Sequence, residues 1–169
     1  MLLPYRGVCY NIHMETTPWE VKLSDQYIAG FLDGDGSIVA LMGPTKQRRF
    51  THRVKLRINL TQKTKDRFIL KMVGKALGHG RVRDSLKYKV SELVIGNRSE
   101  IKEVLLRLRP YVVVKKRQLE LALKIIEIFQ SNGREDAKRV FLTEKEHKTV
   151  MNLGKKIRSL NSLTGGKII

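Results

Sequence analysis

Cysteine is nearly absent from the chain. The single Cys9 excludes an internal disulfide and any multi-cysteine zinc site, which points to a reducing, intracellular setting (cytoplasm, nucleoid or organelle) rather than a secreted one. Long apolar runs are missing too: residues 27–32 and 38–42 are the longest, far short of the roughly 20 a membrane span requires. No basic head followed by an apolar core opens the chain, so no secretory signal is expected there. Acidic side chains are scarce, 16 against 34 Lys and Arg, giving a formal net charge of +18 over 169 residues. That length suggests one domain, and a 41% apolar fraction is enough to build its core.

The charge is unevenly placed. Residues 1–24 are neutral, residues 25–42 hold only Asp25, Asp33 and Asp35, and everything from 43 onward carries 32 basic and 11 acidic residues. An excess of that size suggests a polyanion as partner, nucleic acid or an anionic membrane surface. The small acidic island in front of it has no use in simple charge neutralisation.

Hydrophobic spacing orders the elements. Residues 1–23 read as an N-terminal extension broken by Pro4 and Pro18. Ser24 is a plausible N-cap for a short helix carrying Tyr27, Ile28, Phe31 and Leu32, which ends in Asp33-Gly34-Asp35-Gly36. A strand over 37–42, a turn at Gly43-Pro44 and a basic tip with Arg48 and Arg49 follow. Residues 51–62 alternate strictly, with Val54, Leu56, Ile58 and Leu60 on one face and Arg53, Lys55, Arg57, Asn59 and Thr61 on the other. A helix over 65–77 is predicted next, capped by Thr64, with Phe68, Ile69, Met72, Val73 and Leu77 as its stripe and Gly78 as its stop. Two more strands are predicted, 81–85 with Arg81 and Arg83 on one side and 87–95 with Lys87 and Lys89. Helices then start at Ser99 and near Lys116. The last helix opens with the capping box Thr143-x-x-Glu146, and residues 161–169 read as a flexible tail. The order α-β-β-α-β-β-α-α-α makes an α+β layer over residues 24–160, a four-stranded sheet backed by helices with its open face positive. A flat reading face of that kind favours nucleic acid over membrane.

Several chemistries drop out. There is no phosphate-binding G-x-x-x-x-G-K-[ST]. His13, His52, His79 and His147 show no metal-ligand spacing. The Asp33-Gly34-Asp35-Gly36 run resembles the start of a calcium loop, but Ile38 and Pro44 stand where that loop needs glycine and glutamate. A carboxylate such as Asp35, freed by flanking glycines, suits a hard divalent cation held against a phosphodiester. One aspartate per chain is few for that work. The stripe Gly30-x-x-x-Gly34 with Ala29 offers either a close helix–helix approach between two chains or simply room for the chain's own sheet.

Residues 27–37, Tyr-Ile-Ala-Gly-Phe-Leu-Asp-Gly-Asp-Gly-Ser, closely resemble the motif of the LAGLIDADG homing endonucleases. Residues 60–65, 80–84 and 109–118 look like downstream blocks of the single-motif, homodimeric branch. The resemblance implies a saddle-shaped, four-stranded antiparallel sheet over the DNA major groove, with motif helices of two chains meeting through Ala29, Gly30, Phe31 and Gly34. It implies that Asp35, with the Gly34 carbonyl, holds shared Mg2+ (Mn2+ as substitute), and that Gln62 and Lys115 order solvent and the scissile phosphate. Arg48, Arg49, Arg53, Lys55, Arg57, Asn59, Arg81, Arg83, Lys87 and Lys89 would then contact DNA. One position departs: a basic residue expected early in the second helix falls on Asp66, and Lys65 or Arg67 would replace it. The implied activity is an intron-encoded DNA homing endonuclease, a homodimer hydrolysing both strands of a long, near-palindromic site. The alternative is an intron RNA maturase without cleavage activity, for which Asp35, Gln62 and Lys115 together have no use.

Overall fold

Ser24 does cap the first helix, α1 (Asp25–Asp35), its hydroxyl accepting the Tyr27 amide at 3.2 Å. The computed structural model describes residues 22–44, 50–132 and 142–163. Arg48 and Arg49, and the expected extension up to residue 21, lie outside the described residues.

The α1 helix leads directly into β1 (Gly36–Pro44). Only glycine fits at the junction, because a Cβ on Gly36 would sit 2.7 Å from the Leu32 carbonyl and from the Leu60 side chain. The expected turn at Gly43-Pro44 is instead the end of the strand, paired with Arg53 and His52 of β2 (His52–Lys63). The alternation of β2 holds as predicted: Val54, Leu56, Ile58 and Leu60 are buried, and the polar set faces away.

The second helix differs from its sequence reading. Thr64 opens a short 3-10 turn rather than capping, and α2 begins at Arg67 (Arg67–Leu77). That later start puts Leu70, Val73 and Leu77 in the core and leaves Phe68 55% exposed. Gly78 ends the helix in the left-handed region (φ 74), which costs a residue without Cβ little.

Strand β3 (Arg81–Ser85) matches its prediction, but β4 is Val90–Ile95, three residues shorter than read. Ser85 pairs with Val90, so residues 86–89 close the hairpin: Leu86–Tyr88 form a 3-10 turn and Lys89 turns left-handed (φ 51). Lys87 and Lys89 therefore sit in the connection, not on a strand face.

All three pairings are antiparallel in the order β1-β2-β4-β3. Asn97, not Ser99, caps α3 (Arg98–Leu108), its side chain accepting the Ser99 amide at 3.1 Å. The remaining helices are α4 (Lys116–Ser131) and α5 (Glu144–Leu163). The capping box at α5 forms as read: Thr143 donates its amide to Glu146 at 2.8 Å and receives the Glu146 amide at 3.3 Å. The helix continues past residue 160, where a tail was expected, because Asn161 is buried and donates to the Ile38 carbonyl at 3.0 Å.

Helices α2, α4 and α5 pack on the sheet face that carries Ile38, Leu56, Ile58, Leu60, Leu93 and Ile95. The opposite face keeps its polar side chains. Among the described residues no helix is long and apolar enough to cross a membrane.

Candidate functional site

Strand register sorts the open face into rows. Beginning at the end nearest α1, Lys63, Val90 and Ser85 lie side by side, then Thr61, Glu92 and Arg83. Ser37, Asn59, Val94 and Arg81 form the next row. Beyond it only two strands continue, pairing Val39 with Arg57, Leu41 with Lys55 and Gly43 with Arg53. Six cations and Asn59 therefore share one surface: Arg53, Lys55, Arg57, Arg81 and Arg83, as the sequence implied, and Lys63 besides. Arg57 Nε and Asn59 Oδ1 are enclosed by protein without a hydrogen-bond partner. Polar atoms in that state ordinarily find a partner.

At the near end of this face the chain brings three chemical groups together. The close of α1 delivers Asp35 to the close of β2, where Gln62 Nε2 donates to Asp35 Oδ2 at 2.7 Å. Lys115 stands just before α4, only 7% exposed, and its Nζ donates to the Asp33 carbonyl at 2.5 Å. Burial pulls the Lys115 pKa below the ordinary lysine value, while the charges of Asp33 and Asp35 act in the opposite direction. Its bond to the Asp33 carbonyl sets Lys115 against the last turn of the helix that ends in Asp35.

What holds Lys115 there is Asp33, a residue without an assigned role in the sequence reading. The Asp33 carboxylate accepts three successive amides, Val113 at 2.7 Å, Val114 at 3.1 Å and Lys115 at 2.9 Å. They belong to the two residues before α4 and to its N-cap, Lys115. Asp33 was visible as an acid in the motif, but no local signal links it to amides some 80 positions later. Arg67, one of the two substitutes for the basic residue missing at Asp66, is engaged elsewhere: it pairs with Asp84 at 3.1 Å, which also accepts from Ser91. Lys65 is exposed.

Asp35 and the last carbonyls of α1 are hard oxygen donors of the kind that magnesium and calcium prefer. Among the described residues no three His, Cys, Asp or Glu side chains gather as a metal cage.

The outer side of α1 removes one of the two readings of its small residues. Gly30 and Gly34 are exposed, and a Cβ on either would meet nothing within 4 Å, so neither makes room for the chain's own sheet. Ala29, expected beside them, is fully buried in the chain's own core, one helix position round from the stripe. Phe31 is half-buried and stacks on exposed Tyr27, ring centroids 6.4 Å apart. Exposed Val113 and Val114 sit where the Asp33 carboxylate ties them to the end of this helix.

A model of a family described as LAGLIDADG endonuclease matches residues 28–120. The DNA endonuclease I-CreI of Chlamydomonas reinhardtii is 39% identical over 101 residues, 60% of this chain, and the match spans 61% of that relative's length. The DNA endonuclease I-CvuI of Chlorella vulgaris is 31% identical over 114 residues, 68% of this chain and 70% of that protein. A crystal structure of I-CvuI with the I-CreI target in the presence of magnesium superposes with a TM-score of 0.71 at 27% identity, covering 86% of this chain and 84% of that one. I-SmaMI, bound to an uncleaved DNA target with calcium ions, gives a TM-score of 0.69 over 80% of this chain and 45% of its own. At 18% identity that second likeness is one of fold alone.

Proposed function

The chain belongs to the LAGLIDADG endonuclease family, and from that premise we propose that it is a homodimeric, metal-dependent DNA endonuclease cutting both strands of a long, near-palindromic site. The observation that carries this reading is the contact of Gln62 with Asp35 at 2.7 Å, with Lys115 bonded to the Asp33 carbonyl two residues before it, at one end of a cationic sheet face. A nucleic-acid binder alone has no use for that grouping.

The open face supplies binding. Successive same-face positions on a strand are about 6.8 Å apart, close to the rise of about two base pairs, so the rows can follow a major groove in step. Two copies joined through Gly30, Phe31 and Gly34 would read the two halves of a two-fold site. They would also bring two Asp35 carboxylates together at the axis.

Gln62 fixes one oxygen of Asp35, and the other, with the Gly34 carbonyl, would hold a divalent ion. The I-CvuI structure with magnesium supports a divalent metal, and Mg2+ is the one proposed here. Such an ion supplies an activated water and charge neutralisation at the phosphate. Lys115, tethered at the Asp33 carbonyl, presents a cationic amine where negative charge builds on the phosphate oxygens. Desolvation makes that charge more effective than one in water.

Asp35→Asn tests the reading. The variant should bind the selected site and lose cleavage in a gel assay with Mg2+. Cleavage at the unmodified protein's rate would refute it.

A further inference from the structure

The open face holds one group that does not belong with its cations. Glu92 lies on the outward side of β4, opposite buried Ser91 and Leu93, with Thr61 and Arg83 as its strand neighbours. A carboxylate between an arginine and a threonine would ordinarily be taken for a cross-strand ion pair. Here the pair does not form: among the described residues no cation reaches ion-pairing distance of Glu92, and no donor hydrogen-bonds it. The sequence reading missed it because the strand was begun at Lys87 and counted as cationic.

An unpaired carboxylate on a surface meant for phosphates is repelled unless a donor meets it. A major groove offers such donors on base edges, and carboxylates accept from the cytosine N4 amino group. Its row neighbours the one that ends at Lys63, beside Gln62, so its base lies close to the cleaved step. Asn59, one row out, would read about two base pairs further from the axis.

We infer that Glu92 is a specificity-determining residue: it selects cytosine at one position near the centre of each DNA half-site by accepting from the N4 amino group. This rests on the endonuclease reading above and sharpens it. The same carboxylate disfavours bases that present only acceptors there, guanine and thymine, because acceptor would face acceptor.

The test selects cleaved sites from a randomised duplex library with Mg2+, using the unmodified protein, Glu92→Gln and Glu92→Ala. The unmodified protein should show cytosine at one symmetry-related pair of positions. Glu92→Gln should move that preference to adenine, since an amide pairs both edges of that base. Glu92→Ala should make the position indifferent, with the cytosine preference dropping by about 5- to 150-fold, as a single base mismatch does. Profiles that superpose for all three proteins would overturn the inference, and so would loss of a guanine preference instead, which would make Glu92 a positioning residue for Arg83. Should the unmodified protein select and cut no site, the endonuclease reading itself fails, an outcome distinct from either.

Discussion

Replacing Asp33 with alanine removes a carboxylate that serves three amides, at 2.7, 3.1 and 2.9 Å, and that joins α1 to the segment leading into α4. A hydrogen bond to a charged group contributes about 1.5–3 kcal/mol when sheltered, and much less when solvent screens it. The Val113 and Val114 contacts are exposed and the Lys115 contact is part-buried, so only the last approaches the full value. The expected loss is about 2–4 kcal/mol, or about 5–15 °C in melting temperature for a chain of this size. Asp33→Asn keeps one acceptor oxygen and should lose about half as much. Circular dichroism melts at one fixed protein concentration measure this, since a dimer's stability depends on concentration. The cleavage rate should fall with stability intact at low temperature, because Lys115 loses the register of its backbone, while DNA affinity at fixed salt should hold. An Asp33→Ala protein that melts within a degree or two of the parent and cuts at its rate would refute the view that this carboxylate positions Lys115.

Further outcomes are expected at Lys115 and at the glycines of α1. Burial lowers the Lys115 pKa, so the folded protein gives up this proton at a lower pH than the unfolded chain does. The buried charge costs stability below that folded-state pKa, and the cost fades as pH rises through it. The stability gap between Lys115→Met and the parent should therefore shift in the parent's favour with rising pH. The alkaline limb of the cleavage profile should lie below the ordinary lysine range and move upward in Lys115→Arg; a limb that stays put removes Lys115 from the reaction. The glycines of α1 should separate by role. Gly30→Leu meets open space within the chain and should fold yet sediment as a monomer, whereas Gly36→Ala forces a contact of 2.7 Å and should lose about 1–3 kcal/mol. A dimeric Gly30→Leu protein would place the subunit contact elsewhere.

The sequence by itself determined what depends on neighbours a few positions away. The alternation of β2, the Ser24 cap, the Thr143–Glu146 box and the glycine stop at residue 78 are all set by spacings of two to four residues, and all stand in the structure. The motif around Asp35 was legible for the same reason, since its chemistry lies within a dozen consecutive residues. Resemblance supplied Gln62 and Lys115, whose own surroundings say only that a strand ends and a helix begins.

Tertiary structure decided what depends on how distant segments meet. A four-residue closure between β3 and β4 took Lys87 and Lys89 off the reading face and left Glu92 on it; side-chain parity follows from where a strand starts, and the turn sets that start. Packing of α1 turned Ala29 inward and Gly30 outward, a difference of one position that helical periodicity alone does not orient. Asp33 gained its role from amides some 80 residues away, a contact that exists only because the core brings the end of α1 against the start of α4. Local free energies write elements into a sequence; which face meets which partner is settled only when the whole core closes.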